Sequence, residues 1–296
     1  MYESFYQLAL LPFESTPDPR FFYASEQHRE ALAAIEYTIR MRKGIVLVTG
    51  QIGSGKTTVG RTMIAGCADS ARIVQLPHGH RDGESLIRSL LRSMRVKDRT
   101  TDDHAARLER LQRRLIRSAD QGYPVVVFID EAQTLSNAAL EELRLLSNFD
   151  QNARKLLQLV LVGQPELRTR IGSPELSALR QRIVLAKRLA PLGVGDAKGY
   201  VAHRLRVASL DPDRPGVSFD DDAVARIHAF AGGAPRLINV VCDNCLLMGF
   251  VREVRRIGVD IVERSIRDMV AMLSTDGLDA GFQPIDTRER ALSMAG

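Results

Sequence analysis

The octapeptide Gly50-Gln-Ile-Gly53-Ser54-Gly55-Lys56-Thr57 follows, after Thr49, on the apolar run Gly44-Ile-Val-Leu-Val48. A buried strand, a glycine-rich turn and a helix start in that order form a P-loop in its expected setting. Gly53 and Gly55 permit backbone geometry and close approach that a Cβ would forbid. Consecutive N–H groups and the helix N-terminus can then surround a phosphate chain. The candidate cradle comprises Gly50, Gln51, Ile52, Gly53, Ser54, Gly55, Lys56, Thr57 and Thr58. Lys56 can reach the β- and γ-phosphates, and the Thr57 hydroxyl can ligate Mg²⁺. The pattern implies a nucleoside triphosphate as ligand.

The rest of the chain is organised around this motif. Residues 1–25 are rich in aromatics and proline, among them Phe5, Pro12, Phe13, Pro17, Pro19, Phe21, Phe22 and Tyr23. They read as an ordered, extended lead-in packing on the core of the next domain. A helix over Glu26 to Arg40 places Ala31, Leu32, Ile35 and Ile39 on one face. The strand before the P-loop follows, then a helix from Lys56 to Cys67 and a short strand at Arg72-Ile-Val-Gln-Leu76. Residues 84–118 are helical and basic, with a break near Arg99 to Asp103. Val125-Val-Val-Phe-Ile129 and Leu156-Leu-Gln-Leu-Val-Leu-Val162 are further buried strands, and Arg182-Ile-Val-Leu185 the last. Apolar strands alternating with helices predict an α/β fold, a three-layer sandwich around a parallel sheet, over residues 26–191. After Pro191 the strand signals stop. Residues 192–273 read as an all-helical lid, with helices near 195–208, 220–231, 235–251 and 259–273. The polar, aperiodic stretch 274–296 reads as a flexible tail.

Val125-Val-Val-Phe-Ile-Asp130-Glu131 has the form of a Walker B element. A carboxylate at the carboxyl end of a buried strand lies where α/β sheets place ligands. Asp130 and Thr57 are the candidate Mg²⁺ residues, and Glu131 can orient and deprotonate an attacking water. The chain lacks the Asn/Thr-Lys-x-Asp of guanine recognition and the Leu-Ser-Gly-Gly-Gln of transporter cassettes. Nucleotide kinases generally lack a Glu beside the Walker B Asp. The remaining class is the hydrolytic ATPases with an additional strand.

Gly233-Ala-Pro235-Arg236, opening a helix in the C-terminal part, resembles the sensor 2 motif of AAA+ ATPases. Gly163-Gln164, ending the strand after Walker B, stands at the sensor 1 position, although AAA+ proteins usually carry Asn, Thr or Ser there. Leu-Arg180-Gln-Arg182-Ile resembles the arginine-finger region. Together with the lead-in "PFESTPDPRFFYASEQHREAL", "VVVFIDEAQTLS", "LEELRLLSNF", "LLQLVLVGQPEL" and "GGAPRLINVVCDNCLL", these motifs resemble the ExeA (general secretion pathway A) family. The transposition ATPases TnsC and TniB are its close relatives. The resemblance covers about residues 5–270 and implies an ATPase using ATP and Mg²⁺. It implies Glu131, Lys56, Gln164, Arg182 and Arg236 as catalytic residues, with Arg236 sensing γ-phosphate in its own subunit. Arg182, or its neighbour Arg180, would act in trans across a homo-oligomer. Two partners stay open: a protein of a secretion or envelope-assembly apparatus, and duplex DNA in a transposition system. Membrane-bound ExeA proteins continue into a transmembrane segment and a peptidoglycan-binding part, and this sequence shows neither.

The net charge of +5 permits an anionic partner. The absence of Trp and an aromatic content of 5% argue against a platform for stacking single strands. Arg113-Arg114-Leu-Ile-Arg117 is either a solvated helix face or a phosphate-tracking surface. The lead-in around Phe13 and Pro19 to Tyr23 either walls an adenine pocket or packs in a core. Cys242 and Cys245 lie within one helix and read as packing residues, and His78 and His80 as loop residues. No secretory signal or membrane-length apolar run is visible, so a cytoplasmic protein is expected.

Overall fold

The computed structural model describes residues 1–14, 16, 18–76 and 82–275. His78, His80, Pro17 and the tail beyond residue 275 lie outside the described residues. The chain divides into two compact units, Ala24–Ala190 and a second made of Met1–Tyr23 with Pro191 onward.

The first unit runs α1 (Glu26–Arg40), β1 (Ile45–Gly50), α2 (Lys56–Cys67), β2 (Arg72–Gln75), α3 (Gly83–Ser93), α4 (His104–Asp120), β3 (Val125–Ile129), α5 (Asn137–Leu146), β4 (Asp150–Gln151), β5 (Arg154–Lys155), β6 (Leu157–Gly163), α6 (Pro165–Ile171), α7 (Ser177–Arg182) and β7 (Ile183–Leu189). Every residue of β1, β3 and β6 is buried, which is why these strands are apolar on both faces apart from Thr49 and Gln158. Successive side chains nonetheless divide between two faces. Ile45, Leu47, Val125, Val127, Ile129, Leu157, Leu159 and Leu161 share a core with α3, α4 and α5. On the other face Phe128 meets α2, where a Cβ on Gly60 would lie 2.3 Å from Phe128 Cζ. Gly60→Val is expected to overpack this contact and cost about 1–3 kcal/mol, read as a lower urea midpoint. A midpoint equal to wild type would show that α2 can shift away freely.

The five strands lie in the order β2-β3-β6-β1-β7, all parallel. β6 therefore separates the P-loop strand from the Walker B strand, the additional strand anticipated from the sequence. β7 is an edge, and its Lys187 pairs with Glu30 of α1 at 2.7 Å. Charge on an edge strand discourages pairing with another sheet. The hairpin β4–β5 has no counterpart in the sequence reading. It turns through Asn152 and Ala153, both at positive φ, and its polar strands carry no hydrophobic period.

The second unit contains α8 (Val194–Ala208), β8 (Ser218–Phe219), α9 (Asp221–Ala231), α10 (Pro235–Val251), β9 (Arg256–Ile257) and α11 (Val259–Thr275). It is not helical throughout, as the sequence suggests: β8 and β9 pair in parallel, Ser218 with Arg256 and Phe219 with Ile257. Two residues per strand are too few to show periodicity. The last helix also runs two residues past the expected limit, to Thr275.

The lead-in belongs to this helical unit and not, as expected, to the α/β unit. Tyr2, Tyr6, Leu8, Phe13 and Phe21 are buried among α8, α9, α10 and α11. The Tyr6 hydroxyl lies 3.0 Å from the Leu246 carbonyl oxygen and 3.2 Å from that of Val254. Arg204 of α8 donates to the carbonyls of Pro12 and Glu14 and stacks over Phe21 at 4.7 Å. A buried guanidinium needs several acceptors, and the lead-in backbone supplies two of them. Phe13 and Phe21 are thus core residues of this unit. Cys242 and Cys245 are free and buried in its core. Burial pushes the Cys242 thiol well up and that of Cys245 to about 12, so both stay protonated packing groups.

Candidate nucleotide site

Parallel register brings the sequence motifs to one edge of the sheet. Thr49 of β1 is level with Gly163 of β6, and Ile129 of β3 with Leu161. The P-loop, Gln164 and the Asp130-Glu131 pair therefore leave adjacent strands side by side, with Gln164 in the middle.

The P-loop turns through Gly53 at φ 77° and Gly55 at φ 88°, both in the left-handed region open to glycine. Gly50 is closely enclosed, since a Cβ there would lie 2.5 Å from Ser54 Oγ and 2.8 Å from the Leu189 carbonyl oxygen. Gln51 and Ile52 form the exposed tip of the turn, and Thr58 is half-buried in the first turn of α2. Lys56 is buried, and its Nζ donates to the Gln51 carbonyl at 2.8 Å. Burial pulls its pKa down, opposed by the carboxylates of Glu131, Asp130 and Glu166. Ser54 Oγ is buried without a hydrogen-bond partner among the described residues. A desolvated cation, an unsatisfied hydroxyl and a helix N-terminus at one turn are the donor set a phosphate chain requires. The residues present fit that ligand.

Walker B closes on this loop. Thr57 Oγ1 donates to Asp130 Oδ2 at 2.9 Å, so the two oxygen groups read as Mg²⁺ residues already touch. Asp130 Oδ1 accepts from the Glu131 N–H at 2.9 Å. Oxygen ligands from one hydroxyl and one carboxylate suit a hard divalent cation. Glu131 has φ 49°, an uncommon conformation for a residue with a Cβ. The turn holds it there, because the Thr134 backbone N–H and hydroxyl both donate to its carbonyl at 2.9 Å.

Two amides hold the Glu131 carboxylate. Gln164 Nε2 donates to Glu131 Oε2 at 3.3 Å, and Gln133 Nε2 donates to the same oxygen. Gln133 Oε1 in turn accepts the Gln164 backbone N–H at 3.0 Å. Gln133 thus ties the end of β6 to the end of β3, a link the motif reading missed. Its only signal in the sequence is a polar side chain between the apolar Ala132 and Leu135 in a short turn.

Arg180 and Arg182 lie outside this cluster's hydrogen bonds. Arg182 is exposed at the end of α7, and Arg180 donates to the Gly172 carbonyl at 2.8 Å. Neither bonds to the P-loop or to Walker B among the described residues. Arg236 is exposed in the first turn of α10, in the helical unit.

A parallel P-loop sheet with these groups at its carboxyl edge defines an AAA+ architecture. Residues 39–171 match the family model described as AAA domain, and that stretch is a P-loop module of the AAA+ family. The chain is similar to General secretion pathway protein A of Aeromonas hydrophila, at 36% identity over 253 residues. That match takes in 85% of this chain but 45% of the relative, so the chain spans about half of that protein's length. Among solved structures, Cdc6p from Pyrobaculum aerophilum aligns with TM-score 0.63 and 18% identity, over 87% of this chain and 70% of that one. The RuvB Holliday junction branch migration motor of Thermotoga maritima aligns with TM-score 0.53 and 22% identity, over 86% and 73%. At these identities the likeness is one of fold.

Proposed function

We propose that the chain is an ATPase that binds and hydrolyses Mg-ATP. On this reading, turnover drives a rearrangement of the lid or of a homo-oligomer acting on a partner. The observation that carries the reading is the bonded series Thr57–Asp130 beside Gln164–Glu131, with buried Lys56 alongside. Gly53, Ser54 and Gly55 cradle phosphate, and Lys56 neutralises it. Thr57 and Asp130 would hold Mg²⁺, which supplies further neutralisation of phosphate charge when bound. Glu131 accepts the proton of the attacking water, and the Gln164 amide orients that water. Arg236 senses γ-phosphate in cis, and Arg182, with Arg180 beside it, acts on an adjoining subunit's ATP.

The likeness to General secretion pathway protein A favours a protein partner in a secretion or envelope-assembly apparatus, with ATP drawn from the cytoplasm. No helix among the described residues is long and apolar enough to cross a membrane. One observation favours duplex DNA as a second reading. Arg95, Lys97, Arg110, Arg113, Arg114 and Arg117 line a groove of about 420 Å³ beside α4. Arg110 pairs with Asp102 and Arg113 with Glu109, while Arg95, Lys97 and Arg117 have no ion pair among the described residues. Steady-state ATP turnover with and without duplex DNA at low salt separates the two. Stimulation that fades as salt rises supports DNA, because phosphate contacts release counterions. Turnover indifferent to DNA supports a protein partner, and no turnover under any condition sinks the ATPase reading.

A further inference from the structure

His28 lies on the buried stripe of α1, 5% exposed, directly beneath the P-loop. Its Nε2 is 3.0 Å from the Ser54 carbonyl oxygen, and its Nδ1 is 2.5 Å from Ser25 Oγ. A carbonyl oxygen can only accept, so Nε2 carries the proton and donates it to Ser54. The Ser25 hydroxyl can donate to Nδ1 or accept from it, so the ring is held at both nitrogens. Ser25 is the N-cap residue of α1, a position where a serine hydroxyl ordinarily accepts a backbone N–H. Here it makes no such cap and is committed to the imidazole instead.

The ring also borders the next residue. A Cβ on Gly55 would lie 2.8 Å from His28 Nε2, and Gly55 sits at φ 88°. The Ser54–Gly55 peptide is trans and planar, so its C=O and N–H point in opposite directions. Holding the Ser54 oxygen toward α1 turns the Gly55 N–H away from it, and Gly55 is the N-cap residue of α2, a helix end of the kind that binds anions. With the peptide reversed, a carbonyl oxygen would stand where that N–H does and repel an anion. Glycine at the second position of such a peptide leaves both orientations sterically open. Something outside the loop must choose between them.

We infer that His28 is a positioning residue of the P-loop. Its imidazole, held by Ser25, keeps the Ser54–Gly55 peptide with the N–H presented to a nucleotide phosphate. The inference rests on the reading of this loop as a nucleoside triphosphate site. His28 touches no phosphate itself; it acts through the Ser54 carbonyl.

The test is ATP titration by calorimetry on the full chain, with steady-state kinetics and apo-protein melting. The variants are His28→Gln, whose side-chain amide can replace the Nε2 donor, and His28→Leu, which fills the space without one. His28→Leu is expected to bind ATP about tenfold more weakly, the worth of one hydrogen bond. The loss should fall on KM rather than kcat. His28→Gln should stay within about twofold of wild type. Wild-type affinity in His28→Leu would overturn the inference alone. So would equal losses in both variants that track a fall in apo melting temperature, which would mark the ring as packing only. Failure of the wild-type chain to bind ATP would overturn the nucleotide reading, and this inference with it.

Discussion

Lys56→Ala is expected to abolish ATP binding at micromolar nucleotide. The side chain is buried and aims its ammonium group along the P-loop at the Gln51 carbonyl. Removing one partner of a desolvated charge pair costs about 2–5 kcal/mol, at least a thirtyfold loss of affinity. The same change should leave the nucleotide-free protein as stable as wild type, or more so. Burial depresses the Lys56 pKa despite three nearby carboxylates, so the folded chain holds this proton less readily than the unfolded chain does. Near neutral pH the buried charge therefore opposes folding, and alanine removes that opposition. Calorimetric titration with ATP, beside urea unfolding of the free protein, reads both halves. Retained ATP affinity would remove Lys56 from the phosphate site. Lost affinity with a collapsed urea midpoint would make it a structural residue.

Glu131→Gln should separate binding from turnover. The substitution keeps the shape of the side chain and leaves an oxygen to accept from Gln133 and Gln164. The left-handed backbone at this position is held by Thr134 and stays as it is. ATP affinity should remain within about threefold, since the charge removed is not the one that holds phosphate. Phosphate release should fall by about 10²–10⁴, the usual worth of a positioned general base. Wild-type release rates in this variant would move the base elsewhere in the site. Equal loss of binding and release would mean that Glu131 acts on the nucleotide rather than on water.

The elements that position the site were legible because their physics is local. β1, β3 and β6 announce themselves as apolar runs ending in glycine or a carboxylate, and the P-loop glycines have no other use in that setting. Relations between distant segments were not local and were misread or missed. Aromatic and proline residues show that the lead-in is buried but not against what. Its acceptors for Arg204 and the Tyr6 contacts exist only once α8 and α10 are in place. Gln133 is one amide in a turn until β6 brings the Gln164 N–H beside it. His28 continues the spacing of Ala31, Ile35 and Ile39 along α1, so a polar ring on an apolar stripe was visible. Its purpose was not, because Ser54 lies 26 residues further along the chain.

The Tyr6 hydroxyl and its Leu246 acceptor are 240 residues apart in the chain. Synthesis at about 5–20 residues per second separates their appearance by on the order of 10–50 s. Within that interval the stretch 24–190 is finished and holds every strand of its sheet, while the helices that bury the aromatic segment ahead of it are still to come. Assembly of the helical unit is consequently late, joining segments that flank the whole P-loop unit in sequence. Until α10 is made, Tyr2, Phe5, Tyr6 and Phe13 are exposed apolar groups that a holdase would recognise. Trimming or fusing residues 1–23 should accordingly impair the unit most distant in sequence, and leave the P-loop sheet intact.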